Sequence, residues 1–254
     1  MDALILHIEG IGWWSRGVED WDRAAVILRA HGAWPTDGPA PAATVLPPTE
    51  RRRAPESVRL ACAVAAQACA MAGRDAQQLP CVFASTWGDL AITHELCTTL
   101  ASEPDALSPT RFHNSVHNAP VGYWTIATGC RESSSAVSAW HGSFGAGLFE
   151  AAVEACADGT PVLFAAYDGS ANGPLAELQH PSAPFAAAFV LNPARDGRRR
   201  ATLSLRHDPR PLGDEGAEPF AGALPLFAAL ARGTAADIVL AAGAAASLAI
   251  GVEP

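Results

Sequence analysis

Two stretches set close together constrain this chain most. Residues 55–73 read as a helix: Pro55 suits a first turn, Val58, Cys62, Ala65, Ala66 and Cys69 recur at helical spacing, and Gly73 can end it. Its side chains are mostly small, so it can pack closely against whatever it covers. Residues 80–85 follow almost at once and read as a buried strand, because Cys81, Val82, Phe83 and Ala84 show no polar alternation. A close-packing helix that leads straight into a buried strand is the repeating step of a layered α/β fold.

The alternation continues along the chain. Residues 4–8 are short, apolar and β-compatible, and the glycines of 10–17, with Trp13 and Trp14 between them, predict a turn. Residues 21–30 carry apolar positions at helical spacing, whereas 36–48 are rich in Pro and Ala without periodicity and read as a loop. Thr86, Trp87, Gly88 and Asp89 form the loop after the second strand, and 89–100 is a helix. An Ala- and Gly-rich helix over 142–158, with Phe144, Leu148, Phe149 and Val153, leads into a strand at 162–166. Strands at 184–191 and 201–206 are joined by the charged turn 195–200. A helix over 224–232, a strand at 237–241 and an Ala-rich tail complete the reading, which contains no internal repeat and predicts one domain over 1–254.

Composition narrows the partners. The chain of 254 residues is 49% hydrophobic and 17% charged, as expected of a compact domain with a large core. Its net charge of −9 argues against nucleic acid, which needs clustered Lys and Arg; the run Arg198 to Arg200 reads as a solvated loop. No stretch reaches the roughly 18–20 apolar residues of a membrane span, and the first ten residues lack the pattern of a signal peptide, so a cytoplasmic location is the default. The six cysteines (62, 69, 81, 97, 130 and 156) form no CxxC pair and read as small buried hydrophobes.

Residues 108–151 carry a resemblance. Ser108, Pro109, Asn118, Gly122, Thr125, Ile126 and Gly129 fall in the register of the segment that leads β-ketoacyl synthases to their active-site cysteine, without an insertion. Upstream, Arg51 to Arg53 before the long helix resemble that family's Arg-Arg pair, and 82–88 resemble its strand ending in a Gly-rich turn. The phrase from Phe112 to Ala119 is similar to a narrower group, the β-ketoacyl synthase-like N-terminal-domain proteins of aryl polyene and related pigment pathways, which resemble stand-alone chain length factors. The resemblance implies an α/β, thiolase-like fold: the N-terminal half of a ketosynthase, with helices layered on a mixed five-stranded sheet. The family's second half, with two catalytic histidines and a lysine, finds no counterpart.

In this register the nucleophilic cysteine falls on His141. Condensation needs a thiolate to accept the acyl group and an oxyanion hole for the thioester oxygen, and an imidazole forms no stable thioester. The flanking Cys130 and Cys156 stand eleven and fifteen residues away and cannot share its turn. His141 then either lines a residual acyl pocket, touches a partner, or fills the space of the lost cysteine. His113 and His117 have the i, i+4 spacing of two metal ligands on a helix, but Pro109, Asn114, Asn118 and Pro120 argue against a helix there, so they read as loop anchors and no metal or cofactor is expected. The Gly-x-Ser-x-Gly elbow of hydrolases fails, since its first glycine would stand at His141. His7, His31, His180 and His207 read as isolated residues.

The resemblance therefore implies a non-catalytic, chain-length-factor-like subunit. It would form a heterodimer with a full-length ketosynthase, receive chains from an acyl carrier protein, and shape the partner's acyl tunnel. Phe112, Asn114, Val116 and Asn118 are carried over as tunnel wall and interface, with Phe112, Trp124 and Trp140 as bulky stops to an apolar chain. Two alternatives stay open: a stand-alone acyltransferase or thioesterase using His141 or His117 as base, and a homodimeric scaffold.

Overall fold

The structure is a computed structural model that describes residues 3–178, 184–195, 198–212 and 222–254. Its elements in chain order begin with β1 (Leu4–Ser15), α1 (Trp21–Ala30), α2 (Pro48–Arg53), α3 (Glu56–Ala72), β2 (Cys81–Ala84) and α4 (Leu90–Ser102). Next come α5 (Pro109–Asn114), α6 (Ala119–Thr128), β3 (Ser134–Val137), α7 (Ser143–Asp158) and β4 (Val162–Asp168). The chain continues with β5 (Phe185–Asn192), β6 (Ala201–Asp208), α8 (Leu224–Arg232), β7 (Ala236–Ala241) and β8 (Ser247–Glu253).

All eight strands belong to one sheet in the order β3-β2-β4-β5-β1-β6-β8-β7. The five-stranded expectation is corrected to eight: β3-β2-β4-β5-β1 form five contiguous strands, and the antiparallel trio β6-β8-β7 extends them past β1. Strands β3, β2 and β4 are parallel, and every other pairing is antiparallel. The tail expected to follow the last strand is itself β8, held by ladders to both β6 and β7. Its Ala and Gly content hid a strand whose side chains alternate between a covered and an open face.

The sheet separates two cores. On one face α3 and α6 pack over Trp14, Phe83, Leu163, Tyr167 and Val190, and on the other α1, α7 and α8 enclose Trp13, Phe144, Phe164, Phe189 and Phe227. Trp13 anchors the second core, with its ring centroid 4.6 Å from Phe185 and 5.0 Å from Phe227. Helix α3 keeps the expected bounds, and Gly73 ends it at φ +62°, where the Arg74 N–H reaches back to the Cys69 carbonyl.

The turn expected over 10–17 is corrected as well, because β1 runs through to Ser15. A bulge at Glu9 shifts its register between Ile8 and Gly10. Beyond the bulge only one side of β1 is paired, with β5, among the described residues, and α3 takes up donors on the other: Ile11 N–H meets the Met71 sulfur and Trp13 N–H the Gln67 side-chain Oε1. The glycines read as breakers are what let α3 come that close. At the bulge the buried Glu9 carboxylate accepts from Arg74 Nε (2.7 Å) and Nη2 (2.6 Å) and from Asn192 Nδ2 (2.7 Å).

Candidate functional site: an elbow at the carboxyl edge of the sheet

The parallel strands β2, β3 and β4 end side by side, which is the edge where open α/β sheets hold ligands. The loop 85–89 leaves β2 under tight control. Asp168, the last residue of β4, accepts from the Ser85 hydroxyl (2.8 Å) and the Thr86 N–H (2.9 Å), and Ser85 Oγ in turn accepts from the Gly88 N–H (2.9 Å). His117 Nε2 lies 3.1 Å from the Ser85 carbonyl oxygen, so this histidine does anchor a loop. Asp89 closes the segment by capping α4 through the Ile92 N–H and accepting from Ser57.

Asp168 is buried, and its Oδ2 has no hydrogen-bond partner among the described residues. Burial lifts its carboxyl from 3.8 to about 6, against the pull of donors on Thr86 and Ser85. The folded chain therefore binds this proton more tightly than the unfolded chain, and stability from this group falls as pH rises from about 4 through 6. The shift corresponds to about 3 kcal/mol. Asp168→Asn is expected to remove that slope, so urea midpoints of wild type and variant, measured from pH 4.5 to 7.5, should diverge in the variant's favour as pH rises. Parallel curves would contradict the assignment.

The unit β3-elbow-α7 carries His141. Trp140 just before it adopts φ +54°, a left-handed conformation that costs a bulky residue about 1–2 kcal/mol. Ser143 holds the turn from within: its hydroxyl accepts from the Ala139 N–H (2.9 Å) and donates to the Trp140 carbonyl (2.6 Å). The β7–β8 loop closes the turn from behind. A Cβ on Gly142 would lie 2.1 Å from Gly243 N, and one on Gly145 would lie 2.2 Å from the Ala241 carbonyl oxygen. Trp140 leans edge-on against Trp87 at 4.4 Å and His141 at 5.2 Å, and it remains 56% exposed. Nothing local in the sequence joins Trp87 and Ser85 to Asp168. The one signal was an aspartate closing the apolar run of β4.

No cysteine stands at this elbow. Cys130 is buried and donates to the Leu79 carbonyl, and Cys156 lies about 20 Å along α7 from the elbow. Burial pushes the thiols of Cys62, Cys69 and Cys81 up to about 12, so none is a thiolate near neutral pH. The expectation that every cysteine is buried needs correction, since Cys97 is exposed on α4 and Cys156 is half-buried.

Residues 109–128 form two short helices, α5 and α6, with Pro109 and Pro120 in their first turns, where a missing N–H costs nothing; the turn at 115–118 between them keeps His113 and His117 off a common helix, as expected. His113 is exposed on α5, while His117 lies in the turn before α6. Among the described residues no three His, Cys, Asp or Glu gather as a metal site. Phe112 (66% exposed), Val116 (46%) and Ile126 (82%) point outward. Val116 and the exposed Asn118 help line a groove of about 480 Å³ between α2 and α5–α6, with Leu46, Tyr123 and Ile126. Asn114 and Trp124 turn inward instead: Asn114 accepts from the Tyr123 hydroxyl, and Trp124 is fully buried against Phe83. His7 is buried beside Thr202, His31 ends α1 next to Arg232, and His207 packs on Phe149, whereas His180 lies outside the described residues. No described helix is long and apolar enough to cross a membrane.

A mixed sheet between two helical layers, with a strand-elbow-helix unit at its carboxyl edge, defines a thiolase-like fold corresponding to one half of a ketosynthase. The chain belongs to the β-ketoacyl synthase N-terminal-domain family, whose model matches residues 21–238. A chain of the ketosynthase ApeO–chain length factor ApeC complex from Xenorhabdus doucetiae superposes with a TM-score of 0.75 at 28% identity, covering 98% of this chain and 99% of that one. The ishigamide ketosynthase/chain length factor gives 0.72 at 14% identity, with 98% and 99% covered. The type II polyketide complex AntDE:AntF, an acyl-carrier protein with its ketosynthase, gives 0.74 at 13% identity, with 100% and 99% covered. These last two likenesses speak for the fold alone. No curated protein is significantly similar in sequence.

Proposed function

We propose that this chain is a non-catalytic, chain-length-factor-like subunit that pairs with a complete ketosynthase and shapes the tunnel for its growing acyl chain. The observation that carries the reading is the elbow. A strand-turn-helix unit surrounds His141, the residue that the resemblance sets at the nucleophile position, and an imidazole forms no stable thioester with the acyl group. A pathway of the aryl polyene type is the reading favoured by the phrase from Phe112 to Ala119.

Two surface features support it. The outward Phe112, Val116 and Ile126 stand on α5, α6 and the turn between them, and α6 packs against β3, whose outer edge has no partner strand among the described residues; exposed apolar side chains together with an open strand edge suit a protein partner. Helix α2 carries Arg51, Arg52 and Arg53, none of which forms an ion pair among the described residues, on a chain of net charge −9. Such a local positive spot suits a carrier protein with an acidic face.

Co-expression with the complete ketosynthase of the same genome should yield a stable one-to-one complex by size exclusion and native mass measurement. Exposed alone to acyl-carrier thioester, the chain should gain no covalent acyl mass. An acyl adduct on any residue, or thioester turnover by the isolated chain that His141→Ala abolishes, would replace this reading with an enzyme acting alone.

A further inference from the structure

We propose that Trp140, braced by Trp87, is the anchor that this chain inserts into an apolar pocket of its ketosynthase partner; the inference rests on the subunit reading above. A large aromatic at φ +54° strains the backbone where Gly or Asn would sit freely, yet Trp140 stays 56% exposed, so the isolated fold recovers little burial from it. A surface that covers its exposed face would repay that strain.

The side chain is also fixed in advance. Ser143 ties the turn at Ala139 N and Trp140 O, and the Ser138 hydroxyl donates to the Thr86 carbonyl of the neighbouring loop. That loop is held by Asp168 and His117, and it sets Trp87 edge-on beneath Trp140. An exposed aromatic held rigid on both sides loses little freedom on docking, as a binding hot spot requires. The other exposed apolar residues lack this support: Ile126 and Phe112 stand on helices in ordinary backbone. Location favours a protein occupant, since Trp140 follows three residues after Val137, the end of the edge strand β3. A subunit that covers the β3 edge reaches Trp140 as well.

The test is titration of the complete ketosynthase from the same genome with the wild-type chain and with Trp140→Ala, Trp140→Asn, Trp87→Ala and Trp87→Phe, read by calorimetry. Both Trp140 variants should bind at least 100-fold more weakly, while the thermal midpoint of free Trp140→Asn stays at or above that of wild type, because Asn tolerates the left-handed turn. Trp87 is a positioning residue: Trp87→Ala should weaken binding about tenfold, and Trp87→Phe should restore it. Val26→Ala, exposed on α1, should bind like wild type. If wild type binds and Trp140→Asn matches it within threefold, the anchor is overturned and the subunit reading stands. A fall in the thermal midpoint of Trp140→Asn together with the loss of binding assigns Trp140 to the fold and overturns the anchor too. If wild type itself forms no complex, the subunit reading fails first and the anchor with it.

Discussion

Gly12→Ala is expected to leave no folded protein. A Cβ at this position would lie 2.0 Å from the Val64 carbonyl oxygen and 2.7 Å from its carbon, both rigid backbone of α3. No side chain can swing away to make room, so the helix must retreat until the contact relaxes to about 3.4 Å. The retreat would be felt across the whole α3 face, where Val58, Leu60, Ala61, Cys62, Val64, Ala65 and Ala68 are buried against the sheet. It would also pull Gln67 and Met71 from the β1 donors they satisfy. Interiors are packed too densely to absorb this, and overpacking against immovable backbone belongs to the rare class of changes above about 4–5 kcal/mol. Set against a typical total of 5–15 kcal/mol, the expected readout is insoluble expression or a lost cooperative melt by circular dichroism. A variant melting within a few degrees of wild type would refute this account of the β1–α3 contact. Gly10→Ala should behave alike, since its Cβ would lie 2.0 Å from the Ala68 carbonyl oxygen.

Arg74→Ala is expected to destabilise the chain by about 3–5 kcal/mol, because it strands a buried carboxylate. The Glu9 side chain has no solvent exposure, and Arg74 grips it through both Nε and Nη2. Asn192 Nδ2 would remain as a single neutral donor to one of its oxygens. The pair is not in itself a large source of stability, since two desolvated charges roughly offset their attraction. Removing both partners in Glu9→Leu/Arg74→Met should therefore cost clearly less than Arg74→Ala alone. Denaturant midpoints of the two single variants and the double variant form the cycle that checks this. Additive losses would mean that the contact is no more than a surface ion pair.

Much of the architecture was legible because it is local. The spacing of Val58, Cys62, Ala65 and Cys69 marked α3 nearly to the residue, and the unbroken apolar runs marked β2, β4 and β5. Elements whose evidence lay elsewhere in the chain were misread. The first strand was read as ending at Ile8 because the partners that hold Glu9 in the bulge, Arg74 and Asn192, are 65 and 183 residues away. β8 looked like an Ala-rich tail because small residues become strand only when β6 and β7 lie on either side. At the site, the register placed His141 at a strand-to-helix elbow, and the structure puts an elbow there. The Trp87 brace escaped notice, because nothing within the loop 85–89 shows that Asp168 holds it.

The sequence alone determined the helix-strand alternation, the absence of a thiol at position 141, and the register of the segment that leads to it. Each is a matter of residue identity and short-range periodicity, which the chain carries wherever it folds. Tertiary structure alone decided that Gly10 and Gly12 are contact points and not breaks, that a lone glutamate is neutralised inside the protein, and that Trp140 faces outward under strain. Those outcomes depend on which backbone lies within a few ångströms of which side chain, and only the assembled sheet with its two helical layers sets those distances.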